Sequence, residues 1–585
     1  MKKITVLLSE VVSEAFEKAG YSKELGTVSV SDRMDLCQFQ CNGAFGGAKL
    51  YHKAPFMIAD EVAAVLSENP IFLKAEAVKP GFINLTLTDE FLLEYVNGVI
   101  SDPNLGVPQV ETPESIVIDY AGPNVAKPLH IGHLRSSIIG ESLKRIARAT
   151  GRNVVGDAHL GDWGTPLGLV IAEYQERHPE WPCFQEGFDP ERDGLPQIDV
   201  NELNEIYPFA SAKSKEDEEF KDKAHKIVYQ FQHHHPGYYS LWKQIVEVSK
   251  TDIKKILGKL NVDLDYWYGE SDCDAYTDEL IARLTEKGLL YESDGAQVVD
   301  VSEDSDKITV PPVMIKKSDD SSAYATTDLA TIIQREKDFK PNKIWYVVDK
   351  RQSLHFTQVF RCARKAELVP ADTELTLVGF GTMNGSDGKP FKTRAGGVMR
   401  LEDLIKMATD GALEKLQDSE YVSGDKEEIA EKIGVAAIKF GDLSNQPSKD
   451  YVFDLNKFLS FDGKTGTYLL YTVTRINSIL KKAGVSYNEI RPIGGIYSDV
   501  ERELALDFAL LGETYDKAYS DLAPCVLCDS AYTIASTFSR LYHDEHILSE
   551  PNAKKRADLI ALCLMVRRTL EKQLGLLAIE TVENM

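Results

Sequence analysis

Residues 123–135 read PNVAKPLHIGHLR; they follow the apolar run SIVID at 115–119 and precede a helix-like stretch at 136–149. A buried strand, a turn and a helix in that order put the turn at the carboxyl end of a parallel sheet, where α/β folds bind nucleotides. His130 and His133 are three residues apart and so face the same way on one helical turn. The unpaired N–H groups and positive dipole end of a helix suit a polyphosphate there. Imidazoles at that spot can donate to phosphoryl oxygens as charge builds, and Gly132 leaves the backbone open to a flat base. The expectation is an ATP-using enzyme on an α/β core.

Two histidines a turn apart are also a common zinc pair or a polar helix face, so the spacing alone leaves these readings open. A zincin is excluded, because it needs a glutamate between histidines four apart. The whole string is more specific. HIGH at 130–133, with Pro123, Asn124, Val125, Ala126 and Lys127 before it and Leu134, Arg135 and Ser136 after it, resembles class I aminoacyl-tRNA synthetases, and among them the arginyl-tRNA synthetase family. The likeness recurs in HLGDWG at 159–164, YATTDLA at 324–330, DKRQSLH at 349–355 and FDGKTGTYLLY at 461–471.

A chain of 585 residues is too long for one core, and about 150 residues per domain suggests three or four domains. Residues 1–110 alternate helix-like and strand-like segments, with a strand-like run at 75–87 turning at Gly81, and Pro103, Pro108 and Pro113 then mark a linker. From 115 to 430 short strands alternate with helices, including 296–301, 312–316, 344–348 and 375–379, the rhythm of a parallel βα sheet. A charged insertion, about 173–300, interrupts it and contains an amphipathic helix at 213–226. Residues 431–585 read as successive helices at 458–482, 501–520, 524–542 and 554–577, a bundle. The fold class expected is therefore α/β: a Rossmann-type parallel-sheet catalytic domain with an insertion, a small N-terminal α/β domain and an all-α C-terminal helical bundle. The resemblance implies that the first domain contacts the outer corner of tRNA and that the bundle reads the anticodon.

Composition sets limits on partners. No apolar run approaches the roughly 20 residues of a membrane helix. Ser9 and Glu10 end the first apolar run too early for a signal peptide, so a cytoplasmic protein is expected. The net charge of −25 argues against a general nucleic-acid binder, yet it is uneven: from Leu455 onward 15 Lys and Arg face 17 Asp and Glu. Of eight cysteines only Cys525 and Cys528 form a CxxC, with no second pair, so no structural metal is expected. His233, His234 and His235 are consecutive and point apart on a helix, which makes them a poor metal site.

Selecting arginine requires carboxylates and an aromatic platform for a planar five-donor fork. Asp119 ends the strand before the turn, and Tyr324 and Asp328, four apart at a helix start, can offer a ring and a carboxylate to one ligand. Alone, Asp328 reads equally as a first-turn acid favoured by the helix dipole. The resemblance assigns Tyr324 and Asp328 to the substrate side chain, Asn124 and His130 to its α-amino and carboxylate end, and Gln352 to completing the pocket. His355 reads as a core histidine or as part of the same motif.

One family element departs from pattern. No KMSKS loop occurs; the glycine-rich basic segment 381–397 stands in its place, with Thr393 where its second lysine belongs. The leaving polyphosphate still needs a cation. Lys127 resembles the compensating lysine of family members that lack the loop lysine, with Lys389, Lys392 and Arg394 as helpers. The implied reaction is arginine activation by Mg–ATP to arginyl-adenylate and pyrophosphate at Pro123, Lys127, His130, Gly132 and His133, followed by transfer to the terminal adenosine of tRNA(Arg). A monomer is expected. Two rivals share parts of this pattern. A small-molecule nucleotidyltransferase has HxGH but little use for a helical C-terminal domain or the Tyr324/Asp328 pair; a non-catalytic tRNA-binding paralogue should have lost its histidines. The chain also ends Glu583-Asn584-Met585, where the family commonly has an arginine before the last methionine, which weakens direct anticodon contact by the tail.

Overall fold

Ile4, Leu8, Val12 and Phe16 recur every four residues and make the first helix, Ile4–Lys18, one-sided. In the computed structural model, which describes residues 1–317, 323–389, 391, 399–416 and 425–585, this face joins the core of a four-stranded antiparallel sheet. Its strands are β1 (Val28–Val30), β2 (Phe39–Cys41), β3 (Phe72–Val78) and β4 (Phe82–Leu87), in the order β1-β2-β4-β3. The hairpin at Gly81 is where the sequence puts it. The helix Asp89–Ser101 carries this unit onto the C-terminal helices, where Arg502 Nε donates to Asp89 at 2.7 Å.

The central sheet begins with β5 (Ser115–Asp119) and β6 (Asn153–Asp157), joined by the helix Leu134–Ala149. Side chains alternate across it: Ile116 and Ile118 face the large core shared with the C-terminal helices, while Val117 faces a second core. Both faces are covered, as a parallel sheet requires.

Between β6 and the rest of this sheet the chain builds the helices Val200–Lys213, Glu218–Gln232 and Pro236–Lys259, then β7 (Leu290–Ser293), β8 (Ala296–Val299) and β9 (Val313–Lys316). Two sequence readings change here. The amphipathic segment 213–226 straddles a break, because Asp217 caps a new helix by accepting from Phe220 N at 3.0 Å. The strands within 296–301 and 312–316 are not members of the parallel sheet; β7, β8 and β9 pair antiparallel in a sheet of their own. Asp294 and Gly295, at φ 49° and 77°, form the tight turn between β7 and β8, and a two-residue connection can only join antiparallel strands.

The sheet resumes with β10 (Lys343–Asp349) and β11 (Glu374–Phe380), giving the all-parallel order β11-β10-β5-β6. The chain leaves β5 toward β6 on one side and returns to β10 on the other, so a crevice opens above the carboxyl ends of β5 and β10. A short parallel pair, β12 (Met383–Asn384) and β13 (Tyr451–Val452), then ties the segment after β11 to the approach to the helical region. The helices Gly466–Ala483, Asp499–Ala509, Leu511–Ser520, Cys525–Asp544 and Ala553–Leu576 complete the bundle, with the expected run 501–520 broken at Leu510. Among the described residues no helix is long and apolar enough to cross a membrane.

Candidate active site

The turn after β5 is fixed by its own imidazoles. His130 is extended (φ −123°) and its Nδ1 accepts from Gly132 N at 3.0 Å, while His133 Nδ1 accepts from His130 N at 3.1 Å. With both Nδ1 atoms accepting, each neutral ring carries its proton on Nε2. The ring centres lie 4.0 Å apart. Burial, reinforced by the Lys127 charge, lowers the His130 pKa, and burial together with His130 pushes His133 down to about 3. Both imidazoles are therefore neutral donors at neutral pH. Gly132 is exposed beside them, and a Cβ there would stand 2.7 Å from His130 Cε1.

The preceding segment is strapped to neighbouring loops. Val125 N donates to Gly161 O at 3.0 Å and Gly161 N to Pro123 O at 3.1 Å, so the HLGDWG turn holds Pro123 and Asn124 from one side. Ala126, at φ 63°, donates its N–H to Ser249 Oγ at 3.2 Å, on the helix Pro236–Lys259. Lys127 follows, its Nζ 4.6 Å from the centre of the Tyr207 ring. On the other side, Ile131 N donates to Met399 O at 3.1 Å and Leu401 N to Leu129 O at 2.9 Å, which stitches the far end of the glycine-rich basic segment to HIGH. Lys389 is exposed on the near arm of that segment; Lys392 and Arg394 lie outside the described residues.

The acidic side of the crevice is organised by an arginine of the chain itself. Arg335, fully buried on the helix Tyr324–Phe339, donates through NH2 to Asp119 Oδ2 at 2.8 Å and Asp157 Oδ2 at 2.7 Å. Burial raises the Asp119 carboxyl pKa despite this partner. For Asp157 burial also works against the charge, but Arg335, His159 and hydrogen bonds outweigh it and hold the carboxylate below its ordinary value. Tyr324 opens the same helix with 80% of its surface exposed. One turn on, Asp328 Oδ2 accepts from His355 Nε2 at 2.6 Å, so His355 is a partner of the candidate selector. Gln352 is exposed on the turn that follows β10. Asp119 thus ends β5, Asn124 stands in the turn that follows it, Tyr324 and Asp328 open the helix that carries Arg335, and Gln352 lies on the turn after β10.

Matches to known proteins cover three stretches of the chain. Residues 95–455 match the family described as tRNA synthetases class I (R), catalytic domain, 469–585 the DALR anticodon binding domain, and 2–87 the arginyl tRNA synthetase N terminal domain. An arginine–tRNA ligase of Alkaliphilus oremlandii is 47% identical over 580 residues, covering 99% of both chains. The chain belongs to the arginyl-tRNA synthetase family. A ligase of the same name from Agathobacter rectalis is 45% identical over 100% of both chains. The crystal structures of arginyl-tRNA synthetases from Plasmodium falciparum (TM-score 0.81, 23% identity) and Thermus thermophilus (0.79, 21%) share the fold, with 100% of both chains covered in each comparison.

In this member of the arginyl-tRNA synthetase family, several residues packed around the candidate site escape a reading of motifs. Arg335 lies seven residues after Asp328, two turns along one helical face; a lone arginine in the apolar run ATIIQR was its only signal. Asp157 ends β6 as Asp119 ends β5, one strand away. Tyr207 and Ser249 come from the insertion and carry no motif. Asp162 of HLGDWG, by contrast, is committed locally: it accepts from Ser271 N at 2.9 Å and from Ser271 Oγ at 2.7 Å.

Proposed function

We infer that the chain is an arginine–tRNA ligase whose ATP and arginine sites share the crevice above β5 and β10. ATP, arginine and tRNA are its substrates. The single observation that supports this reading is the pair of neutral imidazoles at HIGH, each with Nε2–H as its donor, in the turn that follows the carboxyl end of β5.

In this reading the Mg–ATP complex enters as substrate over Pro123 and Gly132. His130 and His133 donate to its phosphoryl oxygens, and Lys127, helped by Lys389, Lys392 and Arg394, balances the charge that builds on the departing pyrophosphate. Asp119, Tyr324 and Asp328 hold the guanidinium, with His355 orienting Asp328; Asn124, His130 and Gln352 hold the α-amino and carboxylate end. The arginine carboxylate then attacks the α-phosphorus in line. No side chain becomes a covalent nucleophile, and positioning and charge stabilisation do the work. The terminal adenosine of tRNA(Arg) next takes the arginyl group from the adenylate through its 2′ or 3′ hydroxyl.

The proposal extends to the rest of the chain: 1–110 contacts the outer corner of tRNA, 115–430 performs the chemistry, and 431–585 reads the anticodon. The reading includes an active monomer; sedimentation at assay concentration checks this, and activity confined to a dimer would contradict it. A cytoplasmic site of action, where these substrates meet, is tested by cell fractionation. Charging of tRNA by the purified chain tests the whole reading: arginine should be accepted, and acceptance of another amino acid in its place would overturn it.

A further inference from the structure

The glycine-rich basic segment leaves the sheet at Gly381 and returns at Met399, and its two roots are fixed to HIGH in different ways. The far root is held by backbone pairing of 399–401 with 129–131. The near root is held by Gly381 N donating to Pro447 O at 2.9 Å and by a buried side chain, Arg135, five residues after His130.

Arg135 is 2% exposed. Its NH1 donates to Gly381 O at 2.7 Å and to Lys449 O at 3.1 Å, and its Nε lies 3.1 Å from the carboxylate of Asp442, which is fully buried. The guanidinium lies 5.9 Å from the Phe380 ring centre and 5.2 Å from that of Tyr451. From these two carbonyls the order propagates outward. Asp450 Oδ1 accepts from Thr382 N at 2.7 Å, β12 pairs with β13, and Phe391 N donates to Met383 O at 3.1 Å. Between those points Gly385 N donates to Lys389 O at 2.8 Å, so the turn that carries Lys389 is built on the root that Arg135 holds. The strands leave no slack at that root, since a Cβ on Gly381 would stand 2.4 Å from Lys449 C and O.

A buried ion pair is a poor way to add stability, because desolvation offsets most of its attraction and an apolar pair of similar size does as well. The Gly381 and Lys449 carbonyls, however, both take their side-chain donor from the one Nη1 group of Arg135, while its Nε faces Asp442. We propose that Arg135 is a positioning residue for the ATP step, setting where the Lys389 turn stands relative to His130 and His133. The inference rests on the assignment of ATP to the HIGH turn.

The test uses the full chain with tRNA present and measures arginine-dependent ATP–pyrophosphate exchange and thermal melting. Arg135→Met/Asp442→Leu replaces the pair by apolar side chains and leaves both carbonyls without their donor. It should stay folded and melt somewhat below the wild-type temperature, because two carbonyls lose a donor, and lose about 100-fold in exchange rate, the scale of a misplacement near 1 Å, with the KM for ATP raised and the KM for arginine unchanged. Arg135→Lys covers the case of a double variant that does not fold: it keeps a positive charge, but one shorter side chain with a single nitrogen cannot serve both carbonyls and the Asp442 carboxylate together, and it should show the same rise in the KM for ATP. Wild-type exchange in a folded double variant, wild-type exchange in Arg135→Lys, or equal rises in both KM values would overturn the proposal. His130→Ala serves as the separate control, since full activity in that variant removes the ATP assignment itself.

Discussion

Lys127→Ala is the sharpest test of how the enzyme manages without a second loop lysine. In the structure the Lys127 ammonium rests 4.6 Å from the Tyr207 ring centre. A cation–π contact at such a partly exposed place contributes about 0.5–1 kcal/mol. One well-placed donor to transition-state charge contributes about 2.7–4 kcal/mol. If Lys127 is the compensating cation, the balance of about 2 kcal/mol or more would draw it off Tyr207 and onto the polyphosphate when ATP is bound. Removing the ammonium should therefore slow adenylate formation by about 100- to 1,000-fold. Removing the ring by Tyr207→Leu should change the rate by about 2- to 5-fold only, because tenfold corresponds to about 1.4 kcal/mol. ATP–pyrophosphate exchange in the presence of tRNA reads both rates, and melting curves establish that each variant is folded. A Lys127→Ala rate close to wild type moves the role to Lys389, Lys392 or Arg394. Equal damage in the two variants refutes the reasoning, since the lysine would then serve the ring and not the phosphate.

Three further outcomes follow from the same geometry. Arg335→Met leaves Asp119 and Asp157 without their buried partner, and should lower stability by about 3–5 kcal/mol, with arginine binding lost alongside; unchanged melting would count against the triad. Gly132→Ala brings a Cβ to 2.7 Å from His130 Cε1 and should raise the KM for ATP more than the KM for arginine, whereas the reverse order in steady-state kinetics would contradict the place given to ATP. His133 has a folded-state pKa of about 3, below the ordinary value of about 6.5, so the unfolded chain takes up a proton that the folded chain refuses as pH falls through that window. Stability should fall from pH 6.5 toward 3 by more in the wild type than in His133→Asn; identical denaturation profiles for the two proteins across that range would falsify it.

How much of this the sequence disclosed depends on the kind of interaction. The strand at 115–119 and the turn that follows it were legible because local periodicity and a continuous motif specify them. The C-terminal helices were legible for the same reason, to within a few residues at 524–542 and 554–577. Antiparallel pairing of β7, β8 and β9 was not, because alternation announces a strand and not its neighbour; the Asp294–Gly295 turn held the missing signal. The site follows the same division. Asp119, Tyr324 and Asp328 stand in motifs, yet no motif states that Arg335 grips Asp119, that His355 grips Asp328 or that Tyr207 receives Lys127. Those contacts join residues 216, 27 and 80 positions apart, and only tertiary packing brings them together. Lys392 and Arg394 remain readings from sequence, since they lie outside the described residues.

If Asp328 helps to select the guanidinium, as proposed, Asp328→Asn separates arginine selection from ATP binding. The substitution keeps the size of the side chain and removes its charge. With wild-type tRNA and saturating ATP, kcat/KM for arginine should fall about 10- to 150-fold, the equivalent of one charged hydrogen bond of about 1.5–3 kcal/mol, while the KM for ATP stays as it was. Unaltered kcat/KM for arginine, or a rise in the KM for ATP that matches the loss for arginine, would contradict the account.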